Sequence, residues 1–445
     1  MVRLLLKWRA VFRRSPHDRE IFRLALPALG ALAAEPLYIL VDTAIVGHLG
    51  TPQLAALALA GTLLTGTFTI FNFLTYGTTA QVARYHGAGR EDVAGSMAAQ
   101  GFWLATAIGT LLFVLGLALA VPAVHALGGS HHTGSLAVLY LRIGALGLPF
   151  ALIALAGQGY LRGLSDLRTP LVIVVIANLV NVVLELLFVY GFHWGLAGSA
   201  WGTVIAQAGM GIAFTIELMR APATTRRPRL DLMRPLARVG SDIFVRTASL
   251  YLSFLVASAV LARIGSASLA AHQIAFQLWA FIALILDSVA IAGQVMVGRM
   301  LGADRPDDAW DASVRMLWWS VLVGVLFALL MLALTEVLPR AFTSDPRVIN
   351  RVHAIWPIFA LMQPVNAIAF ALDGILIGAS DTRFLKWSMV FSALAVFAPI
   401  ALLSLSFDWG IIGVWCGLLG LIVARVVTCG ARFAGRRWAV VGVPG

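Results

Sequence analysis

The sequence predicts an all-α polytopic membrane protein: twelve transmembrane helices in two six-helix lobes related by a pseudo-twofold axis along the membrane normal. Three observations predict it. Residues are 60% hydrophobic and only 12% charged, mean hydropathy is +0.90, and apolar stretches above about 18 residues recur along the chain. Arginines gather in alternate connections between these stretches. The second half of the chain repeats the first at a constant offset of 215 residues. The apolar runs are continuous rather than alternating, which excludes a β-barrel.

The first span, about 21–47, follows a basic segment carrying Arg3, Lys7, Arg9, Arg13, Arg14, Arg19 and Arg23. Its length and the lack of a small-residue cleavage site separate it from a signal peptide. Pro27 and Pro36 each withhold a backbone donor, so this helix is expected to bend, with Asp42 beyond the bend. Glu35 and Asp42, seven residues apart, share one helical face. Two readings are open for Glu35: it lines a cavity, or it pairs with a basic group.

Spans two to four are expected at about 53–82, 94–122 and 136–161, with His131 and His132 in a solvated outer loop. Span five, about 169–192, contains NLVNVVLE, which puts Asn178, Asn181 and Glu185 at i, i+3 and i+7 on one face. Such a group can hold a proton or coordinate a small hard cation through its oxygens. Interhelical hydrogen bonding by the two Asn residues is the bland alternative. Thr203, early in span six (about 195–219), can add a hydroxyl.

The segment 220–238, with Arg220, Arg226, Arg227, Arg229, Arg234 and Arg238, reads as the linker between halves. It separates an N-lobe, 1–219, from a C-lobe, 239–445. In span seven, about 239–262, Asp242 and Arg246 at i and i+4 read as an intrahelical ion pair. Span eight, about 268–298, carries Asp287 deep in its helix; span nine is expected at about 309–339. Span ten, about 350–377, carries Asp373 near one end, where capping and pairing are both open. Spans eleven and twelve follow at about 384–406 and 410–431. Cys416 and Cys429, thirteen apart on one helix, do not pair.

The connections HLGTPQ, HALGGSHHTGS and HWG lack Lys and Arg, whereas those on the other side carry Arg, as does the tail. Arg263, Arg340, Arg347 and Arg351 fall on the minority side. Twelve spans with both termini cytoplasmic satisfy this bias. The net charge of +11 is therefore topological and does not point to nucleic acid.

The repeat pairs GTPQLAAL with GSASLAAH, RYHGAGRED with RMLGADRPD, LRGLSD with LIGASD, and WGLAGSAWG with WGIIGVWCG. Six spans per copy keep the same orientation, and two parallel lobes suit alternating access. The repeat is also an internal control. Asp42 stands opposite Ala257, Asn181 opposite Val396 and Glu185 opposite Ile400, while Asp287 stands opposite Asn72 and Asp373 opposite Gln158. Intramembrane acids are costly unless paired, protonated or wetted, so residues that break the repeat are site candidates.

The stretches LALPALGALAAEPLYILVDTAIVGHLG, NVVLE, SDIFVRT, LDSVA and ALDGILIGASDT resemble the multidrug and toxic compound extrusion (MATE) family, in particular its DNA-damage-inducible protein F branch. The similarity covers essentially the whole chain. The resemblance implies export of amphipathic, often cationic compounds driven by inward proton or sodium flow. It also implies an N-lobe cation site, which falls here on Asp42, Asn181, Glu185 and Thr203. Glu185 stands where the family usually has Asp; the added methylene suits proton exchange better than tight sodium coordination.

The expected function is therefore a proton-coupled antiporter, with sodium as the second candidate ion, in which Asp42 and Glu185 form a coupled acidic pair. Protonation would let the first helix repack and expel substrate. Glu35, Asn178, Gln158, Asp287 and Asp373 are expected to bind substrate or add secondary coupling. No cofactor or resident metal is implied. The expected partners are a small amphipathic organic substrate and the lipid bilayer, with the protein a monomer in a bacterial cytoplasmic membrane. A lipid-linked oligosaccharide flippase is the alternative and would need a basic cleft. An integral-membrane enzyme would need nucleophile–base or metal-ligand clusters within spans, and the spans carry none.

Overall fold

The computed structural model describes residues 15–442. The predicted basic residues Arg3, Lys7, Arg9, Arg13 and Arg14 lie outside the described residues. Among the described residues every regular element is helical. The long ones are α1 (Pro16–Gly47), α2 (Thr51–Gly87), α3 (Glu91–Ala126), α4 (His131–Ala145 with Leu148–Gly163), α5 (Arg168–Gly191), α6 (Leu196–Arg220), α7 (Leu230–Ile264), α8 (Ser266–Gly302), α9 (Pro306–Ala333), α10 (Pro346–Leu361 with Gln363–Gly378), α11 (Thr382–Ser406) and α12 (Gly410–Ala434). Ten are long and apolar enough to cross a membrane singly. The half-helices of α4 and α10 each meet at 49°, and each pair is long and apolar enough to count as one further span.

Those two breaks were not foreseen, although their cause is in the sequence. Pro149 and Pro364 stand at equivalent places in the two copies, and each opens the second half-helix. A proline there withholds the donor that would carry the helix through. Pro27 and Pro36 do not have that effect, because α1 runs unbroken from Pro16 to Gly47. Pro399 sits just beyond the π-helical turn Ser392–Phe397 of α11. Its missing N–H deprives the Ala395 carbonyl, within that turn, of its usual donor.

The turns repeat as well. Gly50 and Gly265 precede α2 and α8 with φ of 132° and 148°, and Gly195 precedes α6 and Gly410 opens α12 with φ of 55° and 61°. These backbone angles favour glycine over any residue with a Cβ.

Three expectations need correction. His131 and His132 begin α4 rather than lying in a loop. Helix α7 begins at Leu230, so Arg234 and Arg238 are helical and the linker is shorter than 220–238. The ninth span ends at Ala333; a separate short helix, Val337–Phe342, follows.

The described residues form two compact units, 30–240 and 241–442 with 15–29. The expected boundaries differ: the start of α1 was placed in the N-lobe, and 220–238 was set apart as a linker. In the first unit α4 is central, packing against α2, α3 and α6; in the second α10 packs equivalently against α8, α9 and α12. Each unit thus holds a leading stretch of the other half's first helix: residues 16–29 of α1 in the second unit, and residues 230–240 of α7 in the first.

Ionic and aromatic contacts explain the first assignment. Asp18 accepts from Arg315 Nε at 2.5 Å and from Trp319 Nε1 at 2.8 Å. Glu20 pairs with Arg299, and Phe22 meets Trp319 edge-on at 4.8 Å. In the other direction Gly240 packs on the Phe73 ring, where a Cβ would lie 2.6 Å from Cδ2.

Candidate cation and substrate site

Three helices of the first unit each present a polar stripe with helical spacing. Helix α1 supplies Glu35, Tyr38 and Asp42; α5 supplies Asn178, Asn181 and Glu185; α6 supplies Ser199, Thr203 and Gln207. The opposite face of α5 carries Val172, Ile176, Leu179 and Val183, all exposed and suited to lipid. The amphipathic pattern therefore turns Glu185 inward.

Close approach of α6 to α5 completes the arrangement. Gly198 and Gly202 form a small-xxx-small pair on α6. A Cβ at Gly198 would lie 2.8 Å from the Phe188 carbonyl carbon, and one at Gly202 would lie 3.1 Å from Glu185 Cγ. With both as glycine, Ser199 reaches the acids. Its Oγ lies 2.7 Å from Asp42 Oδ1 and 3.1 Å from Glu185 Oε1. The two carboxyl groups are also within hydrogen-bonding reach of one another. Glu185 and Ser199 are fully buried, and Asp42 is only 6% exposed.

Beside this group Asn181 Nδ2 donates to Thr203 Oγ1 at 3.3 Å, and the Tyr38 hydroxyl lies 2.8 Å from the same Thr203 oxygen. The Tyr140 hydroxyl of α4 approaches both Ser199 and Thr203. Asn181 Oδ1 and Glu185 Oε2 are buried without a donor. A proton on Glu185, or a small cation held by Asn181 Oδ1 and Glu185 Oε2, would satisfy these two oxygens.

Asp42, Asn181 and Thr203 line a cavity of about 590 Å³ that reaches Glu35, Gln158, Asn178 and Arg162. That volume suits a drug-sized molecule. Asn178 Nδ2 donates to the Ala34 carbonyl at 3.0 Å, and Gln158 Oε1 accepts from Arg162 at 3.1 Å. Of the two readings left open for Glu35, the structure gives the cavity-lining one.

The first unit thus gathers Asp42, Asn181, Glu185, Thr203, Glu35, Asn178 and Gln158 around one cavity. The positions equivalent to Asp42, Ser199 and Thr203 in the second unit are apolar: Ala257, Val414 and Leu418 are buried core residues. Ser199, Tyr38 and Tyr140 were missed in the sequence. Tyr38 lies on the Glu35–Asp42 stripe, and Ser199 breaks the repeat against Val414, so both signals were present.

The acids of the second unit are placed differently. Asp242 does not pair with Arg246. It binds Lys386 and accepts from Thr382 at 3.2 Å. Arg246 instead joins Arg425 on Asp373 Oδ2. Asp373 is thus paired rather than capping, through residues far away in sequence. Asp287 is half-buried near the middle of α8. Cys416 and Cys429 are both free thiols.

The MatE family model matches residues 27–187 and again 243–403, once in each half. The chain belongs to the MatE family. It is 30% identical over 431 residues to Protein DETOXIFICATION 44, chloroplastic, of Arabidopsis thaliana, covering 94% of this chain and 82% of that one. It is 28% identical over 435 residues to DNA damage-inducible protein F of Escherichia coli K12, covering 95% and 93%. A solved MATE structure in the bent conformation superposes with a TM-score of 0.88 at 19% identity, covering 95% of this chain and 97% of that one. The MatE assignment makes the chain a multi-pass membrane transporter, and the double match shows that the sequence repeat is real.

Proposed function

We propose that this MatE transporter is a proton-coupled antiporter exporting amphipathic organic cations. The observation that carries this reading is the buried Asp42–Ser199–Glu185 group set in the wall of a cavity that also exposes Glu35. Two acids in reach of one another hold a proton more readily than two charges. Asp42 lies on both the cavity wall and the acid pair, so its protonation state is linked to what occupies the cavity. Glu35, whose carboxylate faces the cavity, gives a cationic substrate its counter-charge.

Coupling then requires only that proton and substrate favour different conformers. The name of the Arabidopsis relative supports removal of toxic compounds. A flippase for pyrophosphate-linked sugars would need a basic cleft, whereas this cavity carries Glu35 and Asp42 beside the single Arg162. With the Arg-rich connections cytoplasmic, both termini face the cytoplasm.

The test is exchange of ethidium in proteoliposomes with the pH and sodium gradients imposed separately. A pH gradient alone should drive wild-type export, and Asp42→Asn should abolish it. Export driven by sodium alone, or unchanged coupling in Asp42→Asn, would overturn the reading.

A further inference from the structure

Ser199 has one hydroxyl hydrogen but lies within hydrogen-bond distance of two carboxyl oxygens, at 2.7 Å from Asp42 and 3.1 Å from Glu185. Ionised carboxylates only accept hydrogen bonds. With both acids charged, one hydrogen must serve two acceptors, and one carboxylate oxygen then faces a bare lone pair of Ser199. With one acid protonated, two hydrogens are available for the group. Ser199 then donates to the charged acid while the protonated acid donates within the group. One proton on the pair therefore supplies the hydrogen that two charged carboxylates around Ser199 lack, beside the Tyr140 hydroxyl that also approaches Ser199.

A metal ion bridged by Ser199 Oγ and Asp42 Oδ1 does not fit at this separation. A hard cation of calcium or sodium size holds its oxygen ligands at about 2.3–2.6 Å, which sets neighbouring ligands roughly 3.4 Å apart at right angles. Ser199 Oγ and Asp42 Oδ1 are closer than that. The contact has the length of a charge-assisted O–H···O bond. Ser199 is fully buried, and Gly198 and Gly202 on either side let α6 approach closely enough to place it there. Its counterpart in the second unit is Val414, within an apolar core, so the general packing of this helix pair does not require a hydroxyl.

We propose that Ser199 is the positioning residue that fixes the coupling ion as a single proton. It holds Asp42 and Glu185 at a spacing that one shared proton completes and sodium does not. The proposal rests on the reading of Asp42 and Glu185 as the coupling pair. It adds a residue that acts through them and a reason for the choice of ion.

The test is ethidium exchange in proteoliposomes for wild type, Ser199→Ala, Ser199→Thr and Asp42→Asn, with pH and sodium gradients imposed separately across pH 5–9. Ser199→Ala should lower pH-driven exchange about 10- to 100-fold, the range expected from losing one hydrogen bond to a charged group. It should also displace the midpoint of the pH profile by about one unit, while ethidium binding stays within about twofold. Ser199→Thr, which keeps the hydroxyl, should restore both rate and midpoint.

If Asp42→Asn exchanges normally, the coupling-pair reading itself falls. If Asp42→Asn is inactive but Ser199→Ala keeps the wild-type midpoint, only the role of Ser199 falls. A threonine variant as impaired as the alanine variant also overturns it, because the hydroxyl is then not the cause.

Discussion

Asp42 and Asp373 are both buried acids in membrane-spanning helices, yet their surroundings predict opposite consequences of removing them. Asp373 carries two guanidinium groups, Arg246 and Arg425, on one carboxylate oxygen. Arg425 is only 4% exposed. Asp373→Ala leaves two cations without this anion, and losing one side of a buried ion pair costs about 3–5 kcal/mol. For a unit of this size that corresponds to a fall in melting temperature of roughly 6–20 °C. Asp42 has another acid as its neighbour. Asp42→Asn keeps the shape and an amide oxygen to accept from Ser199, and should change stability by about 1 kcal/mol or less.

The assay is thermal unfolding of the detergent-solubilised protein by tryptophan fluorescence, run beside ethidium transport. Asp373→Ala should melt early, and Arg425→Met in the same chain should recover part of the loss. Asp42→Asn should melt normally and fail to transport. An Asp373→Ala protein with unchanged melting and no transport would refute the reasoning, because Asp373 would then be a coupling acid.

Three further outcomes follow from other sites. Glu35→Gln should weaken binding of ethidium about fivefold, the worth of a partly solvated ion pair, with little effect on a neutral dye; equal losses for both would contradict its role as counter-charge. Gln100 accepts from the Arg229 N–H at 2.9 Å and donates to the Arg227 carbonyl at 3.1 Å. Gln100→Ala should therefore free the linker and speed tryptic cleavage after Arg226 about tenfold, read from the fragments. Asp345, outside the membrane-spanning segments, caps α10, and the Arg347 side chain holds its carboxyl below the usual carboxylate range. A lowered native value makes its contribution present above about pH 4 and lost below. Asp345→Asn should thus leave the pH profile of transport between pH 5 and 8 unchanged.

Much of this architecture was legible because its signals are local or periodic. Continuous apolar runs, alternating arginines and equal connection lengths predicted twelve spans in two copies. The i, i+3, i+7 spacing brought Asn178, Asn181 and Glu185 to one face. What failed depended on contacts between distant segments. Asp242 and Arg246 have the spacing of an intrahelical pair, but Lys386 and Asp373, supplied by other helices, take them apart. The proline rule was applied to Pro27 and Pro36 but not to Pro149 and Pro364, which open the second halves of α4 and α10 where those spans break. Ser199 escaped notice although it shares a stripe with Thr203 and Gln207 and stands opposite Val414 in the repeat, because an uncharged hydroxyl carries no burial cost that marks it as a site residue. Its chemistry appears only when Gly198 and Gly202 let α6 meet α5.

The central claim is that cavity occupancy and the proton on the Asp42–Glu185 pair are linked. Its most direct test is proton release on substrate binding, followed with a pH indicator in weakly buffered detergent solution. Ethidium added to the wild-type protein should release about one proton per molecule bound, as linkage between one site and one shared proton requires, and Asp42→Asn should bind ethidium and release none. Binding without release by the wild type, or equal release by Asp42→Asn, would contradict the claim.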